Sequence, residues 1–458
     1  MNWRHGGIAL TLLVGGCTLG PDYQRPELPM PEAYLQTADE GASIANLPWW
    51  ELFLDPQLRS LIETALEENK NLAIAAARVE EARAQLGITR ADQFPNVNAG
   101  TRAERGNTAE LINEDLGTNT TLTVGASLAW ELDIWGKLRR ATEAARAQLL
   151  ATEEAQRAVT ISLIGDVASA YLLLRDLDDR LAIAERTMKS REEYLVIIQA
   201  RYNEGTVPLI DVNQADVELA DAQVTRSAIE RQVVNAENTL SILLGRNPST
   251  ITRGQTLDQQ VFPPALPIGV PAELLARRPD IRQAEQALAA QTARIGVAEA
   301  NRLPSLNVLG QLGFVDSNLD DLFDTDLWTI GGELSGPLFD AGRTKQQVEV
   351  ELARTEQLLN QYGLQVQLAL REVEDALAAI RTYNAELKFR ERQVQSARSA
   401  ATLSRARYDG GVTSYLEVLD SERSQFDTEL AESVTRRASL DAVVQLYKAL
   451  GGGWQPQP

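Results

Sequence analysis

The sequence predicts a mainly α-helical protein that also contributes four β-strands to a membrane β-barrel, with this plan present twice along the chain. Three observations support this fold class. Apolar residues recur every seven positions over long stretches, four short segments alternate apolar and polar residues, and short motifs return about 206 residues further on. The first pattern is typical of coiled-coil helices, and the second of strands with one apolar and one polar face.

The internal repeat is visible in matched landmarks. The segment Arg201-Tyr202-Asn203-Glu204-Gly205 recurs as Arg407-Tyr408-Asp409-Gly410-Gly411, and Gly136-Lys137 recurs at the same offset as Gly342-Arg343. The two halves join through residues 247–271, where five prolines favour an extended linker. Each half therefore predicts one helix, two strands, a very long helix, a tight turn and a returning helix.

The long helices carry the sevenfold pattern. In the second half the apolar positions are Leu352, Leu359, Val366, Val373, Ile380, Leu387 and Val394. In the first half they are Val167, Leu174, Leu181, Met188, Leu195 and Tyr202. A sevenfold repeat keeps one seam against a partner helix. A continuous helix from Gly136 to Tyr202 would be on the order of 100 Å long at about 1.5 Å per residue, so we expect a coiled-coil helical tunnel.

The alternating segments are expected to be membrane strands. They are Val97–Arg105, Thr121–Leu132, Ser305–Phe314 and Leu327–Leu338. An ordinary half-buried sheet gives the same alternation, but two further features favour a barrel. The polar faces carry the charged residues Arg102, Glu131 and Glu333, which suit a wet lumen, and aromatic residues lie near strand ends, as in a membrane girdle: Trp130, Trp135, Trp328 and Phe339.

Four strands are too few to close a barrel, because small barrels need about eight. Open strand edges are not tolerated in hydrocarbon, where unpaired backbone groups find no water. If these strands enter a membrane, several chains must share one barrel. The edge argument alone does not give the number of chains.

Composition restricts the possible functions. The 458-residue chain has a formal net charge of -20, which argues against a nucleic-acid partner. The acidic excess fits either a soluble surface or a lumen that favours cations. The only histidine is His5 and the only cysteine is Cys17, so removal of the first sixteen residues would leave no imidazole. We therefore expect no catalytic residue, no cofactor and no metal site.

Residues 1–16 are expected to be a signal peptide. Arg4 supplies a positive charge, and Ile8–Val14 is an apolar run too short to span a bilayer. Small residues precede Cys17 in an arrangement that resembles the bacterial lipobox, which implies palmitate-type acylation of that cysteine. Thr18 follows where an aspartate would signal inner-membrane retention, which favours the outer membrane. A plain signal peptide with an incidental cysteine is the alternative.

Several landmarks then carry a family resemblance. They are Cys17–Pro26, Trp49–Phe53 with Asp55-Pro56, Pro271–Ile281, and the two Arg-Tyr-x-x-Gly tips. Together they make nearly the whole mature chain similar to TolC-like outer membrane factors of the OprM/NodT lipoprotein branch. The resemblance implies a homotrimer with a twelve-stranded barrel on a helical tunnel, in the cell outer membrane and extending into the periplasm. It also implies two partners, a periplasmic membrane-fusion adaptor and an inner-membrane pump of the resistance-nodulation-division (RND) class.

The resemblance places a periplasmic gate at the second-half tip. Position by position, Tyr408, Leu416, Asp420 and Arg423 look like the gate and its latches. On a threefold axis Leu416 would form an apolar constriction, and Asp420 a carboxylate ring that Arg423 could compensate. The alternative is that Leu416 packs in the helix seam and that Asp420 and Arg423 form a solvated pair.

The first-half tip departs from this pattern. Gln214 and Val217 occupy the positions of the gate aspartate and arginine, so we expect the halves to share the gate unequally. Gly205, Gly410 and Gly411 are expected to be turn residues that allow positive φ, and a possible adaptor contact. We expect Arg277-Arg278-Pro279-Asp280 to have a structural role.

These inferences divide the chain into segments: 1–16, signal peptide; 17–55, extended segment after lipidated Cys17; 56–94 and 136–302, first-half helices with linker 247–271; 95–135, strands 1 and 2; 303–340, strands 3 and 4; 341–450, second-half helices; 451–458, flexible tail.

The predicted function is passive conduction of drugs or other small molecules out of the cell. The alternatives are a type I protein-secretion exit channel, a metal-ion efflux duct, and a coiled-coil lipoprotein without a pore. Three methionines and no mature histidine speak against a soft-metal relay.

Overall fold

A computed structural model describes residues 18–36, 43–106, 119–262 and 268–453. The expected signal peptide, the expected lipidation site Cys17 and residues 454–458 of the expected tail lie outside the described residues, as do Pro263, Pro264 and Pro267 of the expected linker.

The long helices and the returning helices have the same lengths in the two halves of the chain. Helix α4 (Lys137–Asn203) and helix α8 (Arg343–Asp409) each contain 67 residues. The returning helices α5 (Leu209–Leu243) and α9 (Tyr415–Ala449) each contain 35. The remaining helices are α1 (Trp49–Leu52), α2 (Pro56–Glu68), α3 (Lys70–Ala91), α6 (Leu274–Arg277) and α7 (Pro279–Ala300). The repeat predicted from sequence motifs is therefore a repeat of structure.

Four antiparallel strands form one sheet in the order β1-β2-β3-β4. They are β1 (Asn96–Gly106), β2 (Asn119–Leu132), β3 (Ser305–Asp316) and β4 (Asp326–Ser335). The prediction that the last strand continues to Leu338 was wrong at its end. Pro337, which cannot donate to the ladder, lies two residues beyond Ser335.

The register separates the two faces of the sheet. Glu131 pairs with Asn307, and Asn307 with Glu333, so charged and amide side chains form a row across three strands. The neighbouring row on the other face contains Trp130 and Val308. Trp328 and Ile330 on the apolar face are 68% and 76% exposed, so the described residues leave that face largely uncovered at β4. This favours a membrane sheet over a half-buried one.

The long helices bury their sevenfold seams unevenly. Val366 and Val373 of α8 are 4% and 0% exposed, as expected for coiled-coil packing within the chain. Leu352 and Leu359 of the same series are 45% and 40% exposed. Among the described residues, α4 is the one helix with a stretch long and apolar enough to cross a membrane, and half of that stretch is buried in the chain.

The chain divides into two compact units, and the first contains the sheet. It comprises the described parts of Met1–Glu27, Arg78–Glu153 and Gln283–Gly363. Within it, Arg83 of α3 lies 3.7 Å from Glu153 of α4, and Gln291 of α7 bonds to Glu351 of α8 at 2.5 Å. A Cβ atom added to Gly296 in α7 would lie 2.9 Å from Cγ of Arg140 in α4, so the absence of a side chain at Gly296 allows α7 and α4 to approach closely. The helices are thus neighbours in the order α3-α4-α7-α8, which parallels the strand order.

The N-terminal segment is fastened to this unit by charged side chains. Arg25 donates two 2.7 Å hydrogen bonds to Glu285, which is buried. Arg140 donates to the carbonyl oxygens of Leu19 and Gly20 at 3.0 and 3.1 Å. Main-chain carbonyls that would otherwise need water are therefore satisfied by a buried guanidinium.

The second unit comprises the described parts of Leu28–Ala77, Glu154–Arg282 and Leu364–Pro458. Buried Arg278 bonds to Asp280, Glu372 and the carbonyl oxygen of Ala449 at 2.6 to 3.0 Å. This arginine joins the start of α7 to α8 and to the end of α9, which is a structural role for the Arg-Arg-Pro-Asp motif.

The linker of this unit is held by one buried carboxylate. Asp55 caps α2 by accepting from Gln57 N at 2.8 Å. It also accepts from Tyr171 Oη at 2.8 Å, Gln255 N at 3.1 Å and Gln260 Nε2 at 2.7 Å. Burial alone would raise the pKa of Asp55, but these hydrogen bonds outweigh it and hold the pKa below its usual value.

We predict that Asp55→Ala destabilises the protein by about 3 kcal/mol, because several buried donors lose a charged acceptor. The measurement is thermal unfolding of the purified protein in detergent. Asp427→Ala, at an exposed position of α9, is the control and should leave the transition unchanged. The pKa of Asp55 is lower in the folded than in the unfolded protein. Its contribution to the free energy of unfolding is therefore present above the unfolded pKa and is lost as the pH falls through the folded pKa. Equal transitions for both variants would contradict this role.

Candidate functional site: the helical tips

Each long helix reverses into its returning helix through a glycine turn. Gly205 and Gly411 have φ of 76° and 71°. The expectation of a positive φ at Gly410 was wrong, because Gly410 N still bonds to Ala406 O at 3.1 Å and continues the helical pattern. Thr206 N bonds to Arg201 O at 3.0 Å and Val412 N to Arg407 O at 2.9 Å. These bonds satisfy carbonyl groups at the helix ends, and the left-handed residue inside each turn favours glycine.

An aromatic cluster packs the two tips together. Tyr194 stacks on Tyr415 with ring centroids 5.6 Å apart, and Tyr408 lies 5.4 Å from Tyr415. Apolar residues of α4, α5 and α9 complete the cluster: Ile198, Val212, Ala215, Val418 and Leu419. Burial raises the pKa of the Tyr194 and Tyr415 hydroxyls, as expected for rings packed in an apolar cluster. The start of α9 is therefore held firmly against α4.

The predicted gate residues fall into two groups in this structure. Leu416 is 60% exposed and Asp420 is also exposed. They lie one turn apart on α9, so both side chains project from the same face of the helix. Tyr408 is half-buried in the aromatic cluster, with the Arg201 guanidinium 5.5 Å from its ring centre.

Arg423 lies on the same exposed face of α9 but is engaged across helices. Its guanidinium forms a hydrogen-bonded ion pair with Glu218 of α5, whose side chain is 5% exposed. The other carboxylate oxygen of Glu218 lies 3.0 Å from Arg191 of α4, which is also buried. Arg191 in turn lies 5.2 Å from the centre of the Phe426 ring on α9. One carboxylate thus joins α4, α5 and α9 just above the tip.

The sequence had indicated Arg423 but not its partner. Glu218 follows Val217, the position that departs from the second-half pattern, and Val217 itself is 60% exposed. A glutamate on an amphipathic helix usually faces water. Nothing in the local pattern marks Glu218 as the buried acceptor of two arginines.

The sheet and the tips together define a class of protein. The sheet has an apolar face that the described residues leave largely uncovered at β4, which suits lipid, and the helical tips carry exposed apolar and acidic residues. The described residues contain no group of His, Cys, Asp and Glu side chains suited to a metal ion. This combination defines a subunit of a membrane channel.

Comparison with known proteins identifies the family. The family model for outer membrane efflux proteins matches residues 61–246 and 270–452, once in each half of the repeat. The chain is 36% identical over 455 residues to the solvent efflux pump outer membrane protein SrpC of Pseudomonas putida, covering 97% of both chains. It is 33% identical over 456 residues to the cation efflux system protein CusC of Escherichia coli, covering 98% of both.

Solved structures agree with this assignment. The open state of the Neisseria gonorrhoeae MtrE outer membrane channel superposes with a TM-score of 0.86 at 30% identity, covering 96% of this chain and 99% of that one. The protein belongs to the outer membrane efflux protein family, in the TolC-like group of RND efflux outer membrane factors. It is an outer-membrane efflux channel that extends into the periplasm.

We predict that Arg423 and Glu218 are energetically coupled by about 1 kcal/mol, because the carboxylate is buried and the arginine half-exposed. A double-mutant cycle with Arg423→Ala and Glu218→Ala, read by thermal unfolding, measures this coupling. The exposed pair Arg407 and Glu417, 3.2 Å apart, is the matched control. It should give less than about 0.5 kcal/mol. Equal coupling in the two cycles would refute a special role for Glu218.

Proposed function

We propose that the chain works as a homotrimer whose subunits share a twelve-stranded barrel and a helical tunnel. In this proposal it passively conducts small molecules delivered by a periplasmic membrane-fusion adaptor and an inner-membrane RND-type pump. The observation that carries the proposal is the four-stranded sheet, which has an uncovered apolar face and free edges at β1 and β4.

The free edges require partners in a membrane. Unpaired N–H and C=O groups along β1 and β4 would cost several kcal/mol each in hydrocarbon. Joining the β1 edge of one copy to the β4 edge of the next satisfies both and is a head-to-tail contact, which closes into a ring. Strand closure alone allows several ring sizes, and the resemblance to TolC-like proteins favours three copies.

The helices support the same head-to-tail contact. Because α3 and α8 lie at opposite ends of the helix order, as β1 and β4 do in the sheet, ring closure brings α8 of one copy to α3 of the next. Leu352 and Leu359 continue a seam that is buried further along α8 but are 45% and 40% exposed in one chain. A neighbouring copy would complete the coiled-coil packing at these two positions.

The lipid anchor at Cys17 remains part of the proposal. Leu19 N donates to Trp135 O at 3.2 Å, so the backbone two residues after the cysteine is fixed just beyond the end of β2. An acyl chain starting there would lie near the barrel rim and add to membrane attachment.

The gate proposal assigns Leu416 to an apolar constriction and Asp420 to a carboxylate ring on the threefold axis. Both side chains are exposed in one chain and lie one turn apart. With Arg423 engaged by Glu218, the ring would depend on cations or on another subunit for compensation. Tyr408 would hold the start of α9 through the aromatic cluster.

Cargo choice is assigned to the pump and not to the duct. Relatives named for solvent efflux and for cation efflux are about equally similar to this chain, at 36% and 33% identity. A wide conduit that selects little is compatible with both. The exposed glycine turns at Gly205, Gly410 and Gly411 are the proposed adaptor contact, and the chain itself is proposed to catalyse nothing.

We predict that Leu352→Glu combined with Leu359→Glu weakens assembly, because two acidic side chains would enter the apolar seam between copies. The measurement is the oligomer mass in detergent by light scattering, with a shift from trimer to monomer expected. Gln346→Glu combined with Gln357→Glu adds the same charge on another exposed face of α8 and should leave the trimer intact. A stable trimer in the leucine variant would contradict the proposal that Leu352 and Leu359 pack between copies.

We predict that Asp420→Ala raises single-channel conductance in planar bilayers and admits larger antibiotics to cells, because the carboxylate ring is lost. Asp216→Ala, which removes an exposed carboxylate from the first-half tip, is the control. Unchanged conductance and permeability in Asp420→Ala would remove this residue from the gate.

A further inference from the structure

A cavity of about 320 Å³ lies between α4, α8 and α9 above the tip turns. Three arginines line it: Arg186 and Arg191 from α4, and Arg405 from α8. Thr187, Ser190 and Thr402 also line it. An arginine-lined pocket is unusual in a chain whose net charge is -20.

The carboxylates around the cavity are outnumbered by guanidinium groups. Glu429 is shared between Arg186 at 2.5 Å and Arg398 at 2.6 Å. Glu218 is likewise shared between Arg191 and Arg423. Arg405 pairs with Glu422. Five guanidinium groups therefore share three directly bonded carboxylates, and Asp221, exposed and 3.8 Å from Arg191, adds a weaker fourth.

Donor groups remain for a ligand. The side chain of Arg186 is 58% exposed, and Arg405 is 36% exposed with Ser190 Oγ 3.5 Å from its Nη2 atom. Nε of Arg191 is buried and makes no hydrogen bond to the described residues. A guanidinium presents five N–H donors in a planar fork, so one carboxylate does not exhaust it.

We propose that this cavity binds a small inorganic oxyanion of the sulfate or phosphate class. Such an ion would accept hydrogen bonds from Arg186, Arg405 and the Ser190 hydroxyl, which itself accepts from Arg405. It would also offset the repulsion between guanidinium groups that share one carboxylate. Because the ligands come from α4 and α8, an occupied site would hold these helices together beside α9. The proposal does not depend on the transport cycle.

The test is a titration of purified full-length protein with sodium sulfate, against sodium chloride at matched ionic strength, by calorimetry and by thermal unfolding. Saturable sulfate binding and a saturable rise in Tm are expected. Arg405→Gln should weaken binding about tenfold or more, because a charge-assisted contact is lost. Arg392→Gln removes the same charge from an exposed position of α8 outside the cavity and should bind as the parent does.

A second variant changes binding in the opposite direction and guards against simple misfolding. Glu422→Gln removes the partner of Arg405 and one negative charge from the cavity wall, so sulfate affinity should rise severalfold. Absence of saturable binding in the parent protein would overturn the proposal. Equal affinities for the parent, Arg405→Gln and Glu422→Gln would place any bound sulfate elsewhere and overturn it as well.

Discussion

The constraint on which the rest of the structure depends is the absence of water partners for backbone groups in a bilayer. A sheet of four strands leaves two rows of N–H and C=O groups unpaired at β1 and β4. Its apolar face, with Trp328 and Ile330 largely exposed, suits lipid and not water. In hydrocarbon, a single copy of this sheet would leave those backbone groups without partners. In the helices, the seam residues Leu352 and Leu359 are likewise exposed where a coiled coil would bury them.

Outside the sheet, buried carboxylates perform a related task. Asp55 bonds to the linker and to helices α2 and α4. Glu218 of α5 bonds to arginines of α4 and α9 near the tip. Each such carboxylate would be costly if unpaired, since burial penalises a lone charge far more than it rewards a pair. Their value therefore lies in fixing which helices are neighbours. Heptad packing alone gives an apolar seam but specifies partners weakly, and polar groups in the seam add that specificity.

Local periodicity explains how much the sequence could predict. Alternation with period two and recurrence with period seven depend on a few successive residues, so strands and long helices were predicted within a few residues of their ends. The last strand was predicted three residues too long, because the sequence pattern was followed past Pro337 to Leu338, whereas β4 ends at Ser335. Contacts between distant residues leave no such trace. Arg423 and Glu218 are 205 residues apart, and no pattern marks their pairing. Nor could the heptads show that Leu352 and Leu359 stay exposed where Val366 is buried. Asp-Pro is a typical helix start, but the sequence analysis used Asp55-Pro56 only as a family landmark, and nothing near it marks the linker partners of Asp55.

The two halves divide their contributions to the tip. Both build a 67-residue helix and a 35-residue return, so the repeat duplicates the scaffold. The side chains proposed for the gate come from α8 and α9 of the second half, whereas the acceptor of Arg423 comes from α5 of the first. If α9 moves away from α5 when the tunnel opens, this ion pair must break, while Arg191 still neutralises the buried carboxylate. Glu218 is thus never left as a lone buried charge. A latch built in this way can open at modest cost, because the arginine that leaves is the half-exposed one.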